Sequence, residues 1–300
     1  MDRSSTWLLE YQSDIYTQSG EDGIIEKILE TLPDRDNWCV EFGALDGKYL
    51  SNTRNLIEHK GFSAVLIEGS KKHFNNLQKA YSHNPEVITL NKYVGFSETD
   101  NLDKILSGTE IPTDYDFLSI DIDGNDYHVW MAASKYKPKV VCIEFNPTIP
   151  SEVRYIQNAD PSVSQGSSLL SLVELGKEKG YELVSVIGVN ALFVRSVYYP
   201  LFRIGDNSPG TLRTNLENIT YIFSGYDGTI LLSGCQMLPW HSIGMKQKKM
   251  QRLPFFLRRY PGNYNKIQLL VYGAYLFVTD PRTFQKRFKR FVHESRGQNT

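Results

Sequence analysis

The chain has 300 residues, 41% of them hydrophobic and 22% charged, so it can bury one large α/β core together with a smaller appendage. This composition excludes a disordered or collagen-like chain. The net charge of −1 hides an asymmetry. Residues 1–195 hold 18 basic and 29 acidic side chains, a net charge of −11, whereas residues 196–300 hold 15 and 5, a net charge of +10. We therefore expect an acidic body followed by a basic tail.

Strand and helix patterns alternate along the first two thirds of the chain. Short apolar runs predict seven strands, at 38–42, 63–68, 86–91, 116–121, 139–145, 181–186 and 190–195. Apolar residues at helical spacing predict helices at 21–32, 52–60, 72–83, 102–107, 126–135 and 169–179. Because strands and crossover helices alternate, we predict an α/β fold. Its seven-stranded, mostly parallel, Rossmann-like sheet has helices on both faces and is followed by a basic C-terminal extension.

Turn-forming residues are concentrated between 198 and 210, which predicts a domain at 1–197 and a separate basic region at 198–300. Basic and aromatic residues alternate between 246 and 291. This mixture suits an anionic membrane face or a phosphorylated acceptor. It suits equally well a basic helix that packs its aromatic face on the body. No nucleic-acid partner is expected, because no binding module accompanies the charge.

We expect a cytoplasmic protein, in contact with the inner membrane face at most. Residues 1–5 lack the apolar segment of a secretory signal, and the longest apolar stretch, 267–278, is too short to span a bilayer. The three cysteines, Cys39, Cys142 and Cys235, are expected to be buried and free of disulfide bonds. This cysteine content is compatible with a reducing compartment.

The turn after the first predicted strand indicates a ligand site. Glu41 lies at the end of this strand, Gly43 and Asp46 lie in the turn, and Glu68 ends the second strand as a lone carboxylate. In an open α/β sheet, ligands bind beyond the carboxyl ends of the strands, where an acid suits a ribose diol. The G-x-G-x-x-G turn of dinucleotide sites is absent. Carboxylates here repel a pyrophosphate but attract a sulfonium and an ammonium, so S-adenosylmethionine fits better than NAD.

Further acids follow the fourth and fifth strands. Asp121 and Asp123 come after the fourth strand, and Glu144 and Asn146 come at the end of the fifth. Asp121, Glu144 and Asn146 offer the hard oxygen ligands that Mg²⁺ takes, and such an ion would acidify and orient a substrate hydroxyl. In the alternative, Asp123 and Asp126 cap the next helix, while Glu144 and Asn146 orient the loop that follows.

Three other polar residues lie near these strand ends. His128, on the first turn of the next predicted helix, is a candidate general base, although a lone helical histidine is more often packed or on the surface. Ser51 and Asn52 begin the helix after the glycine turn, where free backbone N–H groups can bind a carboxylate. They serve equally well as caps.

Several of these segments, in order, resemble the class I S-adenosylmethionine-dependent methyltransferases and, within them, the FkbM-like branch. The segments are C-V-E-F-G-A-L-D-G at 39–47, S-N-T at 51–53, I-E at 67–68 and F-L-S-I-D-I-D-G at 117–124. The resemblance covers about residues 16–195, and it implies a seven-stranded methyltransferase sheet and methyl transfer, most often to a hydroxyl oxygen. The acids and the amide after strands four and five also resemble those of metal-dependent sugar and catechol methyltransferases, which implies metal binding by an acid after strand four and an acid–amide pair after strand five.

The segment T-Q-S-G-E-D at 17–22 is similar to the S-Q-x-G-E-D motif of the same branch. The resemblance implies that Gln18 and Ser19 contact the methionyl end of the cofactor. The alternative is an ordinary helix start with Ser19 as its cap. The cofactor-binding residues predicted in all are Gln18, Ser19, Glu41, Gly43, Asp46, Ser51, Asn52, Glu68 and Asp121.

These features predict an S-adenosylmethionine-dependent O-methyltransferase with Asp121, Asp123 and His128 as catalytic residues and with possible assistance from Mg²⁺. The resemblance alone supplies the acceptor, a hydroxyl of a sugar, glycan or glycolipid. A phosphorylated or lipid-linked form of this acceptor is part of the expectation. The C-terminal region would cover the acceptor or face a membrane. One alternative is an NAD-dependent nucleotide-sugar oxidoreductase, which the missing third glycine disfavours. The other is a degenerate methyltransferase fold used for binding or scaffolding, which the intact acids disfavour.

Overall fold

The computed structural model describes residues 4–287 and 289, and its centre is a seven-stranded sheet. The strands are β1 (Trp38–Phe42), β2 (Ser63–Ile67), β3 (Val87–Leu90), β4 (Phe117–Ile120), β5 (Val140–Glu144), β6 (Tyr181–Ile187) and β7 (Asn190–Arg195). All seven predicted strands are confirmed, to within one residue at each end.

The strands lie in the order β3-β2-β1-β4-β5-β7-β6. The pairs among β1 to β5 are parallel, and β7 runs antiparallel to both of its neighbours. In β4 every residue is buried, and in β1, β2 and β5 four successive residues are buried. Because successive side chains of a strand point to opposite faces, both faces of the sheet are covered. The predicted seven-stranded, mostly parallel sheet is confirmed.

Helices connect the strands and cover the sheet. They are α1 (Glu21–Thr31), α2 (Arg54–Lys60), α3 (Lys71–Tyr81), α4 (Leu102–Leu106), α5 (Asp126–Ala132), α6 (Leu169–Glu178) and α7 (Pro209–Leu212). In α1, the buried residues Ile24, Ile25 and Ile28 follow the helical spacing that predicted the helix. The chain leaves α6 through Gly180, whose φ of +83° is a left-handed conformation that glycine adopts without strain.

A buried ion pair lies at the amino ends of β4 and β5. Lys139 Nζ lies 2.7 Å from Asp116 Oδ1 and 2.9 Å from Asp36 Oδ2. The other oxygen of Asp116 accepts the N–H groups of Asp36 and Asn37 at 3.0 and 2.6 Å. Neither the Lys139 nor the Asp116 side chain is exposed to water. Each buried charge therefore has an opposite charge or a donor next to it.

The chain divides into two compact units, one up to Leu216 and one from Glu217 onward. The first unit thus continues past the predicted boundary at 197/198. It includes a 3-10 helix, Tyr199–Phe202, and the buried Phe202 accepts a hydrogen bond from Trp7 Nε1 at 2.9 Å. The unit extends beyond the predicted boundary because this segment packs on the first unit, although it is rich in turn-forming residues.

The second unit contains short elements. They are the antiparallel hairpin β8 (Thr220–Ser224) and β9 (Ile230–Gly234), the pair β10 (Met237–Leu238) and β11 (Ile243–Gly244), and the helices α8 (Gln247–Met250) and α9 (Lys266–Thr279). Among the described residues, no helix combines the length and the apolar character that a membrane span needs. Positions 288, 290 and 291 of the basic and aromatic pattern lie outside the described residues.

The three cysteines are free. Cys39 and Cys142 are buried in β1 and β5 as predicted, and burial raises the pKa of both thiols. Cys235 is only partly buried, which corrects the prediction for that residue. It follows β9 in the second unit, where few side chains are buried.

Candidate functional site

The sheet order predicts a ligand site at the carboxyl ends of β1 and β4. These two strands are neighbours although β2 and β3 lie between them in the sequence, so the order of the sheet reverses here. Ligands of open α/β sheets bind at such a reversal. Gly43 follows β1 with a φ of +74°, and a Cβ atom there would lie 1.9 Å from the carbonyl oxygen of Asp121. Only glycine therefore allows the two strand ends to approach this closely.

Glu41 is buried and bonded to the start of the next helix. Its carboxylate accepts the Ser51 hydroxyl at 2.6 Å, the Thr53 hydroxyl at 2.7 Å and the Asn52 N–H at 2.9 Å. Burial raises the pKa of Glu41, and the three donors limit the rise. The Asn52 side chain donates to Ser119 Oγ on β4 at 3.0 Å. These bonds fit the alternative in which Ser51 and Asn52 organise the helix start, and their cofactor contacts stay predictions.

Glu68 follows β2 and is held by backbone donors. One carboxylate oxygen accepts the Leu45 N–H at 2.9 Å and the other accepts the Ser70 N–H at 2.6 Å. The side chain is buried, so its orientation is fixed. Because each carboxylate oxygen has two acceptor positions, Glu68 keeps one position on each oxygen for a diol. These two free acceptor positions fit the predicted ribose contact.

Asp46 organises the turn in which it lies. Its carboxylate accepts the N–H groups of Lys48 and Tyr49 at 3.0 and 2.9 Å. Partial burial favours a higher pKa, but the Tyr49 and Lys48 donors outweigh it and lower the pKa of Asp46. These are bonds within the turn, and the predicted contact of Asp46 with a cofactor stays a prediction.

Asp121, Asp123 and Glu144 form the acidic cluster of this site. One carboxylate oxygen from each lies within 4.8 Å of the others. Asp121 and Asp123 are exposed and Glu144 is half-buried. The structure thus brings together two of the three predicted metal ligands, with Asp123 as the third carboxylate.

The members of the acidic cluster change each other's protonation. Desolvation, and then the charge of Asp123, raises the pKa of Asp121. Desolvation, and then the charge of Asp121, raises the pKa of Glu144. A hydrogen bond between Asp121 and Glu144 raises the pKa of Glu144 and lowers that of Asp121. Both carboxyl groups therefore hold a proton to higher pH than an isolated carboxyl group does, a property that suits proton transfer.

The turn after β4 is closed by Asp126. Its two carboxylate oxygens accept the N–H groups of Ile122 and Gly124, each at 2.9 Å. Burial, and then the charge of Asp121, raises the pKa of Asp126 to about 7. Asp126 is the first residue of α5 and bonds to residues that precede the helix, so it closes the turn and does not form the predicted helix cap. Asp123 has a φ of +58°, a left-handed conformation that is uncommon outside glycine and directs this turn into α5.

Asn146 is engaged by its own loop. Its side-chain oxygen accepts the Thr148 N–H at 2.8 Å and the Thr148 hydroxyl at 2.7 Å, and its side-chain nitrogen donates to the Gln165 carbonyl at 2.7 Å. Both acceptor positions of the amide oxygen are thus used. The structure therefore does not support Asn146 as a metal ligand, because a metal bond would require these hydrogen bonds to break. It fits the alternative in which Asn146 orients the loop after β5.

His128 is packed under a loop. The side chain is buried, and its Nε2 lies 2.8 Å from the carbonyl oxygen of Gln157, to which it donates. The ring also packs against Phe96 and Tyr127, at centroid distances of 5.7 and 5.3 Å. This is the placement expected of a packed helical histidine. The nitrogen that could accept a proton is then Nδ1, which is buried and has no hydrogen-bond partner among the described residues, and the predicted general-base role stays a prediction.

Gln18 and Ser19 precede α1. The Ser19 N–H donates to the Glu21 carboxylate at 2.9 Å, and the Asn190 side chain donates to its other oxygen at 3.0 Å. Glu21 is buried, and its charge adds to the causes that raise the pKa of Asp121. Gln18 is exposed. The segment therefore lies near the acidic cluster, and the predicted cofactor contacts of Gln18 and Ser19 stay predictions.

Gln157 organises the loop between β5 and α6, and the sequence analysis did not single it out. Its buried side-chain oxygen accepts the N–H groups of Gln165 and Gly166 at 2.9 and 2.8 Å, and its nitrogen donates to the Val163 carbonyl at 3.0 Å. A Cβ atom on Gly124 would lie 3.1 Å from the same oxygen. The loop thus packs next to the turn after β4. No sequence signal marks one glutamine in a polar loop.

Arg213 was also missed, and it holds the loop that follows β5. Its guanidinium donates to the carbonyl oxygens of Ile149, at 2.6 Å, and Pro147, and lies 5.2 Å from the centroid of the Phe145 ring. The residue is buried. Because it belongs to the segment that the sequence assigned to the C-terminal region, its position beside β5 was not predictable from sequence spacing.

No family model and no curated protein matches the chain. Solved structures match parts of it. The N-terminal domain of EvdMO1 with SAH bound is 11% identical, with a TM-score of 0.37, over 58% of this chain and 78% of that one. The CurJ carbon methyltransferase is 11% identical, with a TM-score of 0.40, over 60% and 56%. A SAM-dependent methyltransferase from Aquifex aeolicus is 14% identical, with a TM-score of 0.36, over 64% and 97%.

This chain thus spans about half of the CurJ chain and nearly all of the Aquifex aeolicus one. Structural neighbours are described as methyltransferases, and their sequence identity to this chain is low. None of these similarities identifies the FkbM-like branch.

Proposed function

We propose that the protein is an S-adenosylmethionine-dependent methyltransferase that methylates a hydroxyl oxygen. The observation that carries this proposal is the pairing of Glu68, whose two carboxylate oxygens each accept one backbone N–H group, with the acidic cluster at the reversal of the sheet order. Negative charge on both sides of the crevice suits a cofactor that carries an ammonium and a sulfonium and disfavours a pyrophosphate. The sequence resemblance supports the same cofactor.

In this proposal the chain itself supplies orientation and one proton acceptor. S-adenosylmethionine supplies an electrophilic methyl group when bound. Glu68 would accept hydrogen bonds from the ribose hydroxyls, and Asp121 would accept the proton of the acceptor hydroxyl. Alignment and deprotonation are what methyl transfer requires of an enzyme, so no covalent intermediate is needed.

We propose a sugar, glycan or glycolipid as the acceptor, on the resemblance alone, and a cytoplasmic location, with which the three free cysteines are compatible. A divalent cation is an optional part of the proposal. Asp121, Asp123 and Glu144 are close enough to share one, and hard carboxylate oxygens suit Mg²⁺. A bound cation would also lower the pKa of Glu144, because it favours the ionised form.

The first test is calorimetric titration of the purified protein with S-adenosylmethionine and S-adenosylhomocysteine, with NAD as the control ligand. We expect micromolar binding of both adenosyl ligands and none of NAD, in Mg²⁺ and in EDTA alike. Binding of NAD alone would favour an oxidoreductase. If a folded sample binds none of the three, the proposal fails and the scaffolding alternative gains.

The second test removes the residue proposed to hold the ribose. We expect Glu68→Ala to weaken binding of S-adenosylhomocysteine by about 1.5–3 kcal/mol, the usual value of hydrogen bonds to a charged group. Glu86→Ala is a matched control. Glu86 is exposed and immediately precedes β3, so it lies at the amino ends of the strands, whereas Glu68 lies at their carboxyl ends. An unchanged affinity of Glu68→Ala in the same titration would remove Glu68 from the site.

The third test addresses the acceptor side. Once an acceptor is found among sugars, we expect Asp121→Asn to reduce turnover by about 10² to 10⁴, with little change in cofactor affinity. Asp114→Asn, exposed and before the same strand, is the control. Turnover that is indifferent to EDTA would exclude the metal from the proposal, and unchanged turnover of Asp121→Asn would exclude Asp121 as the proton acceptor.

A further inference from the structure

The second unit buries very few of its apolar side chains. From Glu217 through the last described residue, the buried hydrophobic residues are Ile219, Leu232 and Leu257. A unit of this length that folds around its own core buries many more. Most of its large hydrophobic residues are therefore directed outward.

Helix α9 shows this most clearly. Ile267, Leu270 and Phe277 are exposed to 73%, 77% and 61%, and their spacing of three and seven residues places them on one face of the helix. Tyr272 and Tyr275, on another face, are partly buried. The apolar face of α9 is thus directed away from the rest of its unit, the reverse of a helix that packs on a core.

The orientation of α9 is fixed by hydrogen bonds to the segment that precedes it. The Gln268 side chain donates to the Phe256 carbonyl at 2.8 Å, and the Tyr275 hydroxyl donates to the Arg252 carbonyl. The same segment exposes the rings of Phe255 and Phe256. The outward face of α9 is therefore a defined feature of the unit, and two further aromatic rings are exposed in the segment to which the helix is bonded.

The segment that contains this apolar face is strongly basic. Between positions 246 and 289 the chain has eleven basic residues and one acidic residue, Asp280. The ion pairs formed between described residues involve none of these eleven. The basic residues are Lys246, Lys248, Lys249, Arg252, Arg258, Arg259, Lys266, Arg282, Lys286, Arg287 and Lys289.

We propose that this face binds an anionic lipid membrane, with α9 lying in the plane of the interface. Exposed apolar and aromatic side chains can enter the region between headgroups and acyl chains, while lysines and arginines of the same segment bind anionic headgroups. At 14 residues α9 is too short to span the bilayer. A second copy of the chain is disfavoured, because two such faces would bring together like charges. The proposal does not depend on methyl transfer.

The test is cosedimentation of the full chain with vesicles. We expect binding to vesicles of phosphatidylcholine mixed with phosphatidylserine, and at least tenfold weaker binding to phosphatidylcholine alone. The variant Ile267→Ser/Leu270→Ser/Phe277→Ser should lose at least tenfold in affinity. Val197→Ser is the matched control, because Val197 is an equally exposed apolar residue of the first unit and should have no effect.

A second variant addresses the charge and preserves the apolar face. We expect Lys248→Gln/Lys249→Gln to weaken vesicle binding by about fivefold for each charge removed, since one basic residue near an anionic surface contributes about that factor. Equal binding to both kinds of vesicle, or wild-type binding by the triple and the double variant, would overturn the proposal. So would an absence of vesicle binding together with a dimer in sedimentation velocity that the triple variant loses, because the face would then join two copies.

Discussion

The two ends of strands β4 and β5 treat charge in opposite ways. At the amino ends, Asp116 and Lys139 are buried and paired at 2.7 Å. At the carboxyl ends, Asp121 and Glu144 lie beside Asp123 in a cluster that contains only carboxyl groups. At the first end the charges stabilise one another, whereas at the second end desolvation and then mutual repulsion raise the pKa of Asp121 and Glu144.

The difference distinguishes a stabilising arrangement from a functional one. A buried pair is retained when each charge is compensated, because an uncompensated buried charge costs several kcal/mol. A cluster of like charges costs stability, and such clusters occur where a protein binds a cation or moves a proton. Substitutions at the amino ends should therefore affect folding, and substitutions at the carboxyl ends should affect binding and turnover.

The largest effect is expected at the amino ends. Lys139→Met should lower the free energy of unfolding by about 3–5 kcal/mol, because it leaves Asp116 charged and buried without its cation. Urea unfolding followed by circular dichroism measures this change. Lys137→Met, exposed and two residues earlier, is the control and should change stability by less than about 0.5 kcal/mol.

A double variant sharpens this prediction. Asp116→Asn/Lys139→Met should lose less stability than the sum of its single variants, because both charges are then absent. If Lys139→Met unfolds at the wild-type urea concentration, the buried pair does not stabilise the amino ends of β4 and β5. The contrast between a stabilising end and a functional end would then be lost.

The next effect concerns pH. The pKa of Asp126 is raised by burial and then by Asp121 to about 7, so the folded protein binds a proton that the unfolded chain releases near pH 4. The stabilisation from this proton is complete below about pH 4 and is lost as the pH rises towards 7, by up to about 4 kcal/mol. The raised pKa of Glu144 acts in the same direction.

Urea unfolding between pH 4 and 8 measures this loss, and Asp126→Asn should remove much of it. Asp206→Asn is a control of opposite sign. The Thr211 hydroxyl and the backbone of Ser208 lower the pKa of Asp206, so its contribution is present at neutral pH and lost in acid. A wild-type stability that rises steadily from pH 4 to 7 would contradict the raised pKa of Asp126.

Most of the first unit was predictable because its signals are local. The short apolar runs predicted all seven strands, and the helical spacing of apolar residues predicted helices such as α1. The extension of the first unit to Leu216 was not predictable, because the bond from Trp7 to Phe202 joins residues far apart in the sequence. Turn-forming residues indicate the local conformation of the backbone, but they do not indicate what the segment packs against.

The site was predictable to the level of strand ends and no further. Asp121 and Glu144 lie next to each other because β4 and β5 are parallel neighbours and Ile120 pairs with Ile143. Two features depend on the conformation of a long loop. They are the hydrogen bond from Thr148 to the Asn146 side chain and the hydrogen bond from the buried His128 ring to the Gln157 carbonyl. Hydrogen bonds within such a loop have no periodicity, and for this reason the sequence did not show how those two residues are bonded.

The smallest effect, and the one that tests the contrast most directly, is the stability of Asp121→Asn. Removing one charge from the acidic cluster relieves repulsion, so we expect the free energy of unfolding to rise by about 0.5–1 kcal/mol. The gain should be larger at pH 8 than at pH 5, because Glu144 and Asp126 are more ionised there. Asp114→Asn should show no such dependence. A loss of stability in Asp121→Asn would mean that this carboxylate makes favourable contacts in the folded protein, as Asp116 does at the opposite end of β4.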